Sequence, residues 1–224
     1  MQRLILLAGS PHRAAATAPL LTSLRQALES HASHLLPSPA LVEVGCNNSP
    51  EDLNHGFDVA AVVSFSAGQS LTREAASSFT LKFHNVYSTA ADTQESHSTK
   101  FLTLLFSPTP SPHCTPAGPS APSSIRHIVA WKFRPDAAAC AVETAVAGYL
   151  NLPRDLPYFS TLEVGPDSSH SPSYSVCLYS TFHDVHAQEA FVRDSRRIAF
   201  KETFVKPHLA SDGVLVFDFV PARA

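Results

Sequence analysis

The spacing of hydrophobic residues along the chain predicts alternating strands and helices. Apolar runs that stop at a proline predict strands, for example over residues 1–11 and 125–135. A helical spacing predicts a first helix with positions Leu20, Leu21, Leu24, Ala27, Leu28, His31 and Leu35 facing one side. Its counterpart is predicted from about Asp136, as N-cap, to Leu150, ending before Pro153. A last helix is predicted from about Asp184 to just before Pro207.

The same series of segments occurs twice, in the same order. Residues 1–11 align with 125–135, 41–45 with 161–165, 57–65 with 174–182, and 101–108 with 214–221. We infer two diverged copies of one unit, a degenerate copy over residues 1–106 and a second copy over residues 125–221. Residues 107–124 between them hold six prolines and no Asp, Glu, Lys or Arg, which is typical of a semi-extended linker.

Each copy reads as β-α-β-β-α-β, which predicts an α+β fold with two ferredoxin-like units. Such a unit places its helices on one face of a four-stranded sheet and leaves the other face bare. Because the other copy is the nearest cover for that face, the two sheets are expected to form a barrel within one chain. In the first strand of copy two, His127 and Trp131 alternate with Arg126 and Ile128, and periodicity leaves open which face is the interior.

Composition excludes several classes of function. The glycines form no dinucleotide or P-loop motif and no G-x-S-x-G elbow, which excludes the common enzymes built on those loops. A formal charge of −3 with scattered Lys and Arg indicates no nucleic acid partner, and the apolar runs are too short to cross a membrane.

Four cysteines without a C-x-x-C pair predict reduced thiols in a cytoplasmic protein. The acid-free N-terminus resembles a transit peptide, but the repeat makes it part of the fold, so we expect it to be retained.

Three segments of the second copy, residues 125–135, 162–165 and 214–219, resemble the stress-response A/B barrel family, also called the dimeric alpha-beta barrel (Dabb) family. The resemblance covers about 95 residues of copy two, and residues 54–58 of copy one match the family's loop into strand three. It implies paired units, as a homodimer or as tandem copies, around an internal cavity. Most members of the family have no assigned reaction, and a few close relatives cyclise linear polyketides.

The cyclising relatives use a histidine in strand one and an H-P-x-H motif in the second helical region, with a tyrosine upstream. His127 matches the strand histidine, but residues 194–197, ending in Arg197, replace the motif. In copy one, the alignment places His84 level with Arg197, Tyr87 level with Phe200, and Arg3 opposite His127. The resemblance therefore gives His127 and His84 as candidate bases and Tyr87 as a candidate proton donor.

Other residues are candidates for binding. Glu43 and Glu163 occupy the same place in the two copies, which indicates either a shared structural partner or a paired site across the pseudo-dyad. Trp131 belongs to the aromatic residues of the sheet, and Arg197 to a small basic cluster that binds an anion or faces water. Two His-x-x-His pairs lack further ligands, so no metal site and no cofactor are expected.

Two functional hypotheses follow. In the first, the barrel cavity binds a small apolar or aromatic metabolite and no reaction is retained. In the second, the protein is a polyketide-cyclase-like enzyme in which a cavity histidine acts as general base. A third interpretation, a module that only associates through its sheets, predicts a filled barrel. The chain is expected to be a monomer or a homodimer, without nucleic acid or membrane partners.

Overall fold

The computed structural model describes residues 2–10, 17–36, 40–66, 68–69, 71–90, 99–114, 124–169 and 174–222. The first unit contains β1 (Gln2–Gly9), α1 (Ala18–Leu35), β2 (Leu41–Cys46), β3 (Val59–Phe65), α2 (Arg73–Ala90) and β4 (Lys100–Phe106). A short strand β5 (Thr109–Pro110) follows. The second unit contains β6 (Ile125–Phe133), α3 (Ala139–Asp155), β7 (Phe159–Pro166), β8 (Val176–Phe182), α4 (Val185–Arg193), α5 (Ser195–Phe200) and β9 (Leu209–Phe219).

Each unit forms an antiparallel sheet, with strand order β2-β3-β1-β4 in the first and β5-β7-β8-β6-β9 in the second. The predicted α+β class and the two β-α-β-β-α-β units are therefore confirmed. Strand β5 extends the second sheet, because Thr109 and Pro110 pair with Val164 and Glu163 of β7. The start of the predicted linker is thus a paired edge strand. Its boundaries stay a prediction, since residues 115–123 lie outside the described part of the chain.

The two sheets face each other, and each carries its helices on its outer face. Side chains from both units fill the layer between the sheets: Ile5, Leu7, Phe57, Ala60, Val62, Leu102, Leu104, Phe106, Ile128, Ala130, Cys177, Tyr179, Leu215, Phe217 and Phe219. Separate apolar layers lie between each sheet and its own helices. Along β6, Ile128 and Ala130 belong to the layer between the sheets, whereas Val129 and Trp131 face the helices. The structure thus resolves which face of this strand is the barrel interior.

Two glycines at equivalent strand positions allow the sheets to meet at their edges. A Cβ atom on Gly45 would lie 2.8 Å from the main-chain oxygen of Val220. On Gly165, a Cβ atom would lie 2.6 Å from the main-chain oxygen of Ser107. Because both contacts are to main chain, neither position has room for a larger residue. The repeated Val-Gly pair of the sequence therefore reflects the same close approach in both halves.

Two of the predicted helices differ from expectation. Helix α3 begins after Ala138 rather than at Asp136, and it continues through Pro153 into its last turn. Because a proline has no main-chain N–H, the helix continues past Pro153 without one of its late hydrogen bonds. The last predicted helix is interrupted: Asp184 caps α4, and Asp194 ends α4 and caps α5 through the main-chain nitrogen of Arg196. A π-helical turn (Lys201–Val205) and a 3-10 turn (Lys206–His208), which contains Pro207, then lead into β9.

The register of the first strand also differs from the sequence alignment by one residue. Arg3 pairs with Ser64 and Phe106, and Arg126 pairs with Thr181 and Phe219 in the same way. Arg3 is therefore equivalent to Arg126, and the expectation that it lies opposite His127 is wrong. A shift of one residue along a strand moves every side chain to the other face.

No helix within the described ranges is long and apolar enough to span a membrane.

Candidate functional site

Between the sheets, two ion pairs join the units. Nη2 of Arg3 donates to Oε1 of Glu163 at 3.0 Å, and Nε of Arg126 donates to Oε1 of Glu43 at 2.8 Å. All four side chains are buried. Each repeated glutamate thus binds an arginine of the other unit, which favours the structural interpretation of this pair. Tyr179 completes the network, since its hydroxyl donates to Oε2 of Glu43 at 2.8 Å.

His127 lies on the other face of the second sheet, beneath the helices. Its Nδ1 lies 2.6 Å from Oδ1 of Asp218 on the neighbouring strand β9, and both side chains are almost fully buried, at 2% and 1% exposure. When Nδ1 donates its proton to the carboxylate, the neutral ring keeps a lone pair on Nε2. The imidazole contacts the rings of Phe182 and Phe191 at centroid distances of 5.4 and 6.1 Å. This arrangement orients an imidazole in an apolar environment with one nitrogen left for another group.

Several buried polar atoms in this region find no hydrogen-bond partner among the residues that the structure describes, and we call them the open polar atoms. They are Nε2 of His127, Oγ of Ser180, Oδ2 of Asp218, Nε2 of Gln188 and Nε of Arg197. Ser180 and Asp218 pair directly with His127 across β8 and β9, so the three residues point to the same face, and we call them the polar row. Buried polar groups are normally paired, so each of these atoms can take a further hydrogen-bond partner.

The first unit provides an internal comparison for the polar row. There, Leu4 of β1 pairs with Val63 of β3 and with Leu105 of β4, in the register that His127 has in the second unit. All three belong to the apolar layer beneath the helices of the first unit. The fold therefore accommodates three aliphatic residues at these positions and does not need the polar row for its own packing.

Helices α4 and α5 and the π-helical turn after them lie over the polar row, and we call them the helical cover. The helical cover contains a buried charged group. The guanidinium of Arg197 lies 5.1 Å above the ring of Phe191 and pairs with Glu51 of the first unit at 3.1 Å. Burial alone would lower the pKa of Arg197, but nearby Tyr149 and Glu51 raise it above its ordinary value. For the phenol of Tyr149, burial has the opposite effect and raises the pKa. At neutral pH a charged guanidinium from α5 and a neutral phenol from α3 thus lie near each other above this face of the sheet.

The remaining predicted residues fall in two places. Trp131 lies with His127 on the helix-facing side and contacts the ring of Tyr149 at a centroid distance of 5.1 Å. His84 and Tyr87 lie in the first unit. His84 is exposed, lines an open groove of 810 Å³ and contacts Phe101, whereas Tyr87 is fully buried and donates to Oδ1 of Asp58 at 2.9 Å. The structure therefore groups His127, Trp131 and Arg197, and it separates them from His84 and Tyr87.

Five further residues of this region were not predicted from the sequence: Asp218, Ser180, Gln188, Tyr149 and Glu51. Two of them carried a detectable signal, because the alignment of the copies already places Asp218 level with Leu105 and Ser180 level with Val63. A polar residue that replaces an aliphatic one inside a predicted strand is such a signal. Within the described ranges, no group of three or more His, Cys, Asp or Glu residues is arranged to hold a metal ion.

Solved structures share the fold over the whole chain. An anthrone oxidase-like protein is 12% identical with a TM-score of 0.61, covering 99% of this chain and 92% of its own. A candidate monooxygenase from Lactobacillus acidophilus is also 12% identical, with a TM-score of 0.55, covering 100% of this chain and 95% of its own. At this identity the likeness concerns the fold alone. No curated protein sequence matches the chain.

The family model of the stress responsive A/B barrel domain matches residues 125–221. These residues run from the first residue of β6 to just beyond β9, so the match spans one complete β-α-β-β-α-β unit. The same unit holds the polar row and its helical cover. The second unit of the chain, residues 125–221, thus matches the stress responsive A/B barrel domain, and the first unit repeats the same topology.

Proposed function

We propose that the second unit binds a small, mainly apolar or aromatic molecule with an acidic hydroxyl group between its sheet and its helices. The polar row carries this proposal, because the first unit fills the same positions with Leu4, Val63 and Leu105. Burying polar groups without partners costs stability, so their presence at positions that accept aliphatic residues needs a reason other than folding. A ligand that hydrogen-bonds to them provides that reason.

The surroundings of His127 define the kind of ligand. Phe159, Phe182 and Phe191 contact one another at centroid distances of 4.8 to 5.3 Å and form an aromatic wall beside the imidazole. Such a wall favours a flat aromatic ring. Nε2 of His127 is placed to accept a proton from a phenolic or enolic hydroxyl, and the buried guanidinium of Arg197 favours a ligand that carries partial negative charge. The ligand site therefore lies on the helix side of the sheet rather than between the two sheets.

The segments that cover the site are short. Helix α4 has 9 residues and α5 has 6, and a π-helical turn of 5 residues follows. Short helical segments open locally at lower free energy than long helices, and π-helical turns are frequent at functional sites. We expect the ligand to enter by displacement of this cover.

The proposal is tested with 4-nitrophenol, an aromatic phenol whose visible absorption changes when its hydroxyl loses a proton. Binding is measured through the fluorescence of Trp131, the only tryptophan, and through the nitrophenolate absorption band. We expect a saturable signal that His127→Leu abolishes and that His34→Ala, on the exposed face of α1, leaves unchanged. Binding that survives His127→Leu but is lost in His84→Ala would instead place the ligand in the groove of the first unit.

A second function, proton abstraction next to a carbonyl group, is favoured by the contact between Asp218 and His127. A carboxylate on Nδ1 stabilises the imidazolium that forms when Nε2 takes a proton, as in general-base catalysis. Such a step removes a proton from carbon and leaves an enolate, which solvent reprotonates. Benzoylacetone in deuterated water tests it by NMR. We expect faster loss of the proton between the carbonyls with the wild type than with Asp218→Asn, and equal rates would refute this function.

A further inference from the structure

The loop between β2 and β3 of the first unit lies against β9 of the second, at the strand that carries Asp218. The main-chain nitrogen of Asn48 donates to the main-chain oxygen of Asp218 at 2.8 Å. The main-chain nitrogen of Val216 donates to the oxygen of Leu53 at 3.0 Å, and that of Asp218 donates to Oδ1 of Asn47 at 3.4 Å. Both main-chain groups of Asp218 are thus held by the other unit.

The same loop also contacts the helical cover, through Glu51. Its carboxylate accepts two hydrogen bonds from Nη2 of Arg197, at 3.2 and 3.1 Å, and both side chains are largely buried, at 13% and 6% exposure. The guanidinium of Arg197 lies on the ring of Phe191, which contacts the ring of His127. A continuous series of contacts therefore runs from Glu51, through Arg197 and Phe191, to the imidazole.

We propose that Glu51 of the first unit is a positioning residue for the site of the second unit. Through Arg197 it fixes the cover over His127, while its own loop fixes the strand position of Asp218. The first unit then has a role in ligand binding although its own helix-facing layer has no counterpart of the polar row. This inference rests on the function proposed above for the site around His127.

The two loop contacts between the units differ in what they touch, which argues against a purely structural role. On the opposite side, the loop after β7 contacts β4 in a similar manner: Oδ1 of Asp167 accepts from the main-chain nitrogen of Leu105 at 3.0 Å, and Ser168 donates to its oxygen. The residue held there is the aliphatic Leu105, and the counterpart of Arg197 is the exposed His84. Within the described ranges, the buried ion pair between a loop and a helical cover occurs on the side of the polar row.

The experiment compares Glu51→Gln and Glu51→Asp with Glu202→Gln, which removes the exposed Glu202–Lys206 pair from the same helical layer. The first readout needs no ligand: the proton between Nδ1 of His127 and Asp218 is expected as a downfield NMR resonance in slow exchange with water, identified by its loss in His127→Leu. The second readout is the affinity for 4-nitrophenol. Circular dichroism confirms that each variant is folded.

We expect Glu51→Gln to shift and broaden the resonance and to weaken 4-nitrophenol binding about tenfold, the effect typical of residues that orient a primary contact. Glu51→Asp should restore part of both, and Glu202→Gln should change neither. An unchanged resonance and unchanged affinity in Glu51→Gln would overturn the inference, while His127-dependent binding by the wild type would still support the proposed function. If the wild type does not bind the probe, the proposed function fails, and the resonance alone decides whether Glu51 positions the imidazole.

Discussion

Transferring the aliphatic row of the first unit into the second is a direct test of what the polar row is for. The triple variant His127→Leu, Ser180→Val and Asp218→Leu gives the second sheet the residues found at the same register positions of the first. If the polar row serves binding rather than folding, this variant should be more stable than the wild type and should not bind the ligand. Stability and binding would then change in opposite directions.

The size of the effect follows from the contacts. Three open polar atoms disappear, one on each residue of the polar row, and leaving such an atom buried costs roughly 2 kcal/mol. The variant loses the hydrogen bond between His127 and Asp218, worth about 2 kcal/mol. The larger aliphatic side chains at Ser180 and Asp218 also introduce about 2 kcal/mol of overpacking. We therefore expect the free energy of unfolding to rise by about 2 kcal/mol, within the range measured when buried polar pairs are replaced by apolar residues.

Urea unfolding followed by tryptophan fluorescence measures this change, because Trp131 lies in the same helix-facing layer as the polar row. The single variant Asp218→Leu is the matched comparison. It leaves the imidazole of His127 buried without its acceptor, so it should lower the free energy of unfolding by about 3 kcal/mol. A triple variant that is less stable than the wild type, or that binds 4-nitrophenol as tightly as the wild type, would refute this reasoning.

Three further predictions concern the joint between the units. Glu43→Gln leaves Arg126 buried without its counter-charge and should lower the free energy of unfolding, measured with urea, by about 3–5 kcal/mol. Glu202 is exposed, so Glu202→Gln should change this free energy by less than about 0.5 kcal/mol. Gly165→Ala places a Cβ 2.6 Å from a main-chain oxygen and should cost about 2 kcal/mol, so an unchanged melting temperature would contradict the close approach. Burial raises the pKa of Tyr179, so the folded state retains a proton that the unfolded state loses above about pH 10. The free energy of unfolding should therefore fall as pH rises beyond that point. The urea midpoint should fall less steeply with pH in Tyr179→Phe.

The fold followed from the sequence because its strongest signals are local and repeated. Hydrophobic spacing predicted α1 closely. The agreement between the two copies identified strands that the local pattern alone would leave ambiguous. The errors lie at the end of one predicted helix and at a break within another. Pro153 lies inside α3, although the rule that a helix ends before a proline predicts an earlier end. The break at Asp194 depends on a second cap that forms within what spacing shows as one helix.

The candidate site contains three residues that were selected from the sequence. His127, Trp131 and Arg197 came from strand periodicity and family resemblance, and the structure places all three on the helix-facing side of the second unit. Glu51 was not predictable from local pattern, because its partner Arg197 is 146 residues away and the contact exists only once the units pack together. A charged residue in a loop carries no periodic signal that separates a buried ion pair from a solvated side chain.

The misplaced register of the first strand hid the contrast between the two copies at one position of the polar row, His127. With Arg3 set opposite His127, a charged residue faced a polar one, and the two copies looked similarly polar at that point. Moving the alignment by one residue sets Arg3 against Arg126, which both bind a glutamate of the other unit, and sets Leu4 against His127. Since successive residues of a strand point to opposite faces, that single step separates the residues that join the units from those that distinguish them. Strand registers drawn from repeats are therefore best assigned by requiring that residues making the same contact fall at the same position. The positions that still differ in polarity are then the ones at which to test one copy for a function of its own.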